Sequence, residues 1–79
     1  MQQSRPPGIR VDFQNADPEG RVRLNTAGSK EDILDHQLDL REGLVVQLID
    51  AELSARGHVE WSEQEQLWVA TVDWREVGG

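Results

Sequence analysis

Few residues in this chain carry chemistry, and their spacing says what each group could do. His58 stands two positions before Glu60, with Asp73 further along, so an imidazole and a carboxylate could share a proton on one strand face. A histidine beside carboxylates on a strand is more often a surface residue. No cysteine or tyrosine accompanies the pair, and Ser4, Ser29, Ser54 and Ser62 fall in tail, capping or turn contexts, so no catalytic triad is spelled out. Asp32, Asp35, His36 and Asp39 recur at helical spacing, which puts three carboxylates and an imidazole on one face. Such a face can take a divalent cation, but solvated acids at this spacing are common, and the expectation is no metal site. The glycines are scattered, with no phosphate-cradling run. These residues lead to the expectation of a non-enzymatic protein without a cofactor.

The aromatic residues admit two readings. Trp61, Trp68 and Trp74 could form a surface for a peptide or a cationic group, or they could build the core. Phe13 is the only other aromatic in 79 residues, and so small a chain needs large apolar side chains to fold, which favours the core.

The elements that position these groups follow from hydrophobic periodicity. Residues 1–8 read as a flexible tail, because Pro6-Pro7-Gly8 suits neither ladder nor helix, and residues 9–79 read as one small β-rich domain. Ile9, Val11 and Phe13 alternate with polar residues, a turn cluster follows, and Val22 and Leu24 resume the alternation. Two outcomes stay open: a hairpin pairing Phe13 with Val22, or a mobile arm that extends to residue 20. A short helix is expected near 29–39, started by Ser29 with Asp32 three residues on, and carrying Ile33, Leu34 and Leu38 on its apolar side. After Gly43, residues 44–49 read as a strand with both faces partly apolar, which suggests a central position. Residues 51–57 read as a connection ended by Gly57.

The strongest pattern runs from His58 to Trp74. Two alternating stretches flank a loop of Glu63 to Gln66, which sets Trp61 opposite Trp68 and Val59 opposite Ala70, with Trp74 continuing the same face. The other face then carries His58, Glu60, Leu67, Val69 and Thr71. Leu67 and Val69 exposed there would form a partly apolar patch beside a strand edge, fit for a protein partner or for self-association.

Charge excludes a class of partner. The chain carries −7, and from Leu24 onward four basic residues face twelve carboxylates, which repels nucleic-acid phosphates. No apolar run approaches a membrane span, and with no cysteine the expected setting is a soluble, cytoplasmic one.

The proposed order of hairpin, short helix, strand and hairpin, together with the terminal Gly78-Gly79, resembles the small β-grasp proteins that include ubiquitin-like modifiers and sulfur carriers. The resemblance implies a carrier or modifier whose last glycine carboxylate is adenylated and then thiolated or conjugated. The leading expectation is a mainly β, α+β fold: a small antiparallel sheet or partly open SH3-like barrel of four or five strands with one short helix. Its expected role is protein interaction or homo-oligomerisation through an exposed β-edge or the hairpin face.

Overall fold

The computed structural model describes residues 5–76, which form a mixed α+β fold with a five-stranded sheet curled into a half-barrel and one short helix. Along the chain come β1 (Gly8–Arg10), β2 (Val22–Arg23), α1 (Ala27–Asp35), β3 (Val45–Ile49), β4 (Ser54–Ser62) and β5 (Leu67–Val72), then a 3-10 turn, Trp74–Glu76. The strand order across the sheet is β1-β3-β4-β5-β2.

The β4–β5 hairpin has the expected register, with Trp61 opposite Trp68 and Val59 opposite Ala70. The two indoles meet edge to face, with ring centroids 5.1 Å apart, a contact worth about 0.5–1.5 kcal/mol beyond area burial. Glu63 to Gln66 form the loop, closed by Gln66 N–H donating to the Ser62 carbonyl at 2.7 Å, with Gln66 itself left-handed at φ +56°. Ile9, Val22, Val46, Leu48, Ala55, Val59 and Ala70 fill the core on one side of the sheet, and Phe13, Ile33, Leu38, Leu40, Leu44 and Trp68 pack around them half-buried.

The first hairpin does not form in the expected register: Ala16, not Phe13, bridges Val22 antiparallel, across a turn at residues 17–20. β1 instead pairs parallel with β3, setting Ile9 against Leu48, while β2 pairs antiparallel with β5 at the far edge. The sheet is therefore mixed, and the adjacency of the first two strands, on which the β-grasp resemblance drew, is absent. The Pro7 carbonyl accepts from Gln47 N–H at 2.8 Å and Ile9 is fully buried, so the chain is tied to β3 at residues 7–9.

The helix is shifted toward the amino terminus. Thr26, not Ser29, caps it by accepting the Ser29 N–H at 3.0 Å, and Ser29 lies buried, donating its hydroxyl to the Arg10 carbonyl at 2.5 Å. The helix ends at Asp35, and Gln37 turns the chain away at φ +52°. Ile33 packs on the core, but Leu34 is 75% exposed.

β3 lies between β1 and β4, and it is β4 that is central. Gly57 does not end the preceding connection; it sits inside β4, buried between neighbours. Trp74 leaves the expected face, because the strand stops at Val72, Asp73 N–H bonds the Arg56 carbonyl, and the chain enters the 3-10 turn. Its ring lies 5.5 Å from that of Phe13 and is 55% exposed, apart from the Trp61–Trp68 pair.

Gly57 is required for close approach: a Cβ there would come 2.6 Å from the Thr71 carbonyl oxygen and 2.8 Å from Leu48 Cδ1. The backbone oxygen cannot swing aside as a side chain can. Gly57→Ala is expected to lower stability by about 1–3 kcal/mol despite alanine's better strand propensity. Gly8→Ala, whose Cβ would meet only the movable end of Ile49, should be near neutral; urea unfolding of the two variants checks the contrast.

Candidate functional site

The strand alternation that buries Val59 and Ala70 turns His58, Glu60 and Thr71 to the outer face of the sheet, where they converge. Thr71 donates its hydroxyl to Glu60 Oε2 at 2.8 Å, His58 Nε2 lies 3.0 Å from the same oxygen, and Arg21 Nη1 donates to Oε1 at 3.1 Å. Arg21 also reaches Asp17, donating from Nε to Oδ2 at 2.9 Å, while the N–H groups of Arg21 and Glu19 both donate to Asp17 Oδ1. Beside it Arg23 forms a two-pronged pair with Glu65, at 2.6 and 2.8 Å, and donates again to the Ala16 carbonyl.

This network roofs half of the outer face. Val69, cross-strand from both Glu60 and Arg23, is fully buried and so cannot belong to an exposed patch. Leu67 is half-buried at the hairpin end. The expected binding surface is thus corrected at its apolar centre, while His58 alone of its residues is exposed.

The edges are covered as well. Arg23 N–H donates to the Asn15 carbonyl and Asp17 N–H to the Arg21 carbonyl, so residues 15–17 line the free side of β2. At β1, Asp32 accepts from Arg10 N–H at 2.8 Å and from its guanidinium, and Ser29 bonds the Arg10 carbonyl from the same helix. Strand addition at Arg10 or along β2 would have to displace these partners.

The charges of the network are held ionised. The Thr71 hydroxyl, followed by Arg21 and His58, keeps the Glu60 carboxyl below its ordinary value. Burial opposes ionisation of Asp17, but hydrogen bonds from the Arg21 backbone and guanidinium outweigh it and the carboxyl is lowered. Arg10 lowers Asp32 and Arg23 lowers Glu65. Glu60, held ionised, accepts from Thr71, Arg21 and His58 at once and so ties β2 to the hairpin.

Asp32, Asp35, His36 and Asp39 are not brought together. Asp32 is taken by Arg10, His36 is the helix C-cap, and Asp39 lies beyond the helix end; among the described residues no group of three or more His, Cys, Asp or Glu is placed to hold a metal ion. Gly78 and Gly79 lie outside the described residues. No helix among the described residues is long and apolar enough to cross a membrane.

What the sequence reading missed is the other half of the outer face. Val45, Gln47 and Ile49 of β3 lie cross-strand from His58, Arg56 and Ser54 of β4, and Val45 and Ile49 remain 46% and 39% exposed. A groove of about 590 Å³ opens there, over Gly8 and Ile49 and between Arg5 and Arg56. A second hollow of about 400 Å³ beside Phe13 has Asp12 and Asp50 in its wall. These two carboxylates cap backbone N–H groups of Gln14, Phe13 and Glu52 and hold the turns. Comparison with family models, curated proteins and solved structures found no match.

Because Asp17, Glu60, Asp32 and Glu65 titrate lower in the folded than in the unfolded chain, their stabilisation is complete above the ordinary carboxylate range. It is lost as pH falls through the lowered folded values. The melting temperature should be nearly flat down to about pH 5 and drop progressively below it. Arg21→Gln should lower the melting temperature at neutral pH, since Asp17, with its side chain 2% exposed, loses its countercharge. It should also shrink the acid-induced drop; a parallel pH profile in the variant would contradict the role given to the network.

Proposed function

We propose that the protein is a non-enzymatic interaction module that binds a protein partner, or a second copy of itself, through the open half of the sheet's outer face. The observation that carries this reading is the pair of exposed aliphatic side chains, Val45 and Ile49, on one strand face beside a groove. Isolated apolar residues on a surface are ordinary; a row of them next to a concavity is how interaction sites are built. Face binding is supported over strand addition because β1 at Arg10 and β2 already have hydrogen-bond partners along their free sides. It is supported over the hairpin's other half because ion pairs cover Val69 there.

The test is a charge placed on each half. Val45→Glu and Ile49→Glu should keep the amide spectrum of the folded chain while reducing partner recovery or self-association at least about tenfold, the cost of burying one unpaired charge at a small interface. Leu67→Glu, at the far end of the hairpin, should leave association unchanged. Loss of binding by Leu67→Glu with full retention by both β3 variants would move the site back to the hairpin.

A further inference from the structure

Of the three tryptophans Trp74 is the exposed one, at 55%, and its ring stands 5.5 Å from that of Phe13, tilted by 54°. Phe13 packs on the core and also walls the hollow of about 400 Å³ between residues 12–14 and the β3–β4 connection. With Phe13 and Leu53 the hollow is lined by three carboxylates, Asp12, Asp50 and Glu52, and by the Gln14 amide; among the described residues no basic side chain lines it. Backbone N–H groups fix two of the carboxylates: Asp12 accepts from Gln14 at 2.9 Å, and Asp50 accepts from Phe13 at 3.2 Å and from Glu52 at 3.3 Å. A carboxylate has about four lone-pair sites, so accepting capacity remains on each. Among the described residues none of the three is ion-paired, whereas Asp17, Asp32, Glu60 and Glu65 each hold an arginine.

We propose that this hollow receives an arginine side chain from a basic segment of a partner protein, with the guanidinium against the Phe13 ring and its N–H groups donating to Asp12 and Glu52. None of Val45, Gln47 and Ile49 lines the hollow, so the site is separate from the β3 face. An aromatic ring ringed by carboxylates suits a flat cation, which can lie on the ring while its fork of donors reaches the acids. A metal ion fits less well, because among the described residues no three acidic or histidine groups are gathered closely enough to hold one. The volume lies within the range of small-ligand sites, about 300–1,000 Å³, and takes one side chain, not a chain segment. Free arginine would bring its own carboxylate among the three, which a peptide-borne side chain does not. Leu53 and Trp74, 37% and 55% exposed, extend the apolar surface for the residue that follows the arginine. The net charge of −7 draws a basic segment toward the molecule as a whole.

The probe is an acetylated, carboxy-amidated peptide, Gly-Ser-Arg-Leu-Gly, titrated into the full chain while amide and indole signals are followed. The same peptide with citrulline for arginine, equal in shape but uncharged, is the comparison, and free arginine is a third arm. The arginine peptide is expected to shift Phe13, Gln14, Glu52, Leu53 and the Trp74 indole, and to bind at least about tenfold tighter than the citrulline peptide. Free arginine should bind more weakly than the peptide. Glu52→Gln, which touches no side-chain partner, and Asp12→Asn, which keeps the acceptor for Gln14, should each weaken the peptide about tenfold. Phe13→Leu keeps an apolar side chain but removes the ring face, and should weaken it about threefold. Glu63→Gln makes the same charge change in the hairpin loop, at the other end of the nine-residue β4, and should leave binding unchanged.

Equal affinity for the two peptides, shifts confined to other surfaces, or equal weakening by Glu63→Gln and Glu52→Gln would overturn the proposal. Free arginine binding as tightly as the peptide would overturn the assignment to a protein segment. If the arginine peptide does not bind, the site fails while the β3 reading, which Val45→Glu and Ile49→Glu test by themselves, is untouched.

Discussion

The register of β4 against β5 is the constraint on which the rest of the structure depends. With side chains alternating at every residue, a slip of one position would turn one strand over against the other, carrying out either Val59 and Trp61, with Glu60 brought in, or Trp68 and Ala70, with Thr71 brought in. The edge-to-face contact of Trp61 with Trp68 and the four-residue loop oppose such a slip from the turn end of the hairpin. The narrow fit at Gly57 opposes it further along β4, where the Thr71 carbonyl and Leu48 leave no room for a side chain. Only in this register does Glu60 stand beside Thr71 and within reach of Arg21.

From that register the two halves of the outer face acquire different tasks. β2 is only two residues long and could not hold the sheet edge by its ladder alone, so Arg21 and Arg23 reach across to Glu60 and Glu65 and tie the segment from residue 15 to residue 24 onto the hairpin. The same side chains exclude water from Val69. At the opposite edge, Arg10 and the helix perform the equivalent service through Asp32 and Ser29. The strands that need reinforcement are the outermost ones, and the polar groups of the fold are concentrated where they are needed.

The sequence was legible where the deciding information is local. Alternation on both sides of Glu63 to Gln66 fixed the hairpin and its register, and the helix was visible from its polar start and apolar spacing, though Thr26 displaced Ser29 as the cap because Ser29 found a better partner in the Arg10 carbonyl. Illegible were the matters settled by distant chain. Ile9 to Phe13 and Val22 to Leu24 have the look of a hairpin, but Ile9 gains a fully buried place beside Leu48, and nothing in the local pattern names that partner. Alternation likewise says which residues share a face without saying what covers it, so Val69 read as exposed and the two-sided apolar pattern of β3 suggested a central place without showing that Val45 and Ile49 stay open. The groove was beyond reach for the same reason, since Arg5 and Gly8 meet Arg56 only through the parallel pairing of β1 with β3.

That pairing also explains why binding can reside on β3 without endangering the fold. β3 has β1 on one side and β4 on the other, so its backbone is satisfied by the ladder, and its inner residues, Val46 and Leu48, are fully buried in the core. Its outer residues are left with no structural duty comparable to that of Arg21 or Glu60. Val45, Gln47 and Ile49 can therefore be chosen for what they contact outside the molecule, at a cost limited to the strand propensity of each residue. Among the exposed large apolar side chains, Leu34 lies on the helix, Leu53 in a connection and Trp74 in the 3-10 turn, whereas Val45 and Ile49 share one strand face, and a row of this kind is where recognition can be placed.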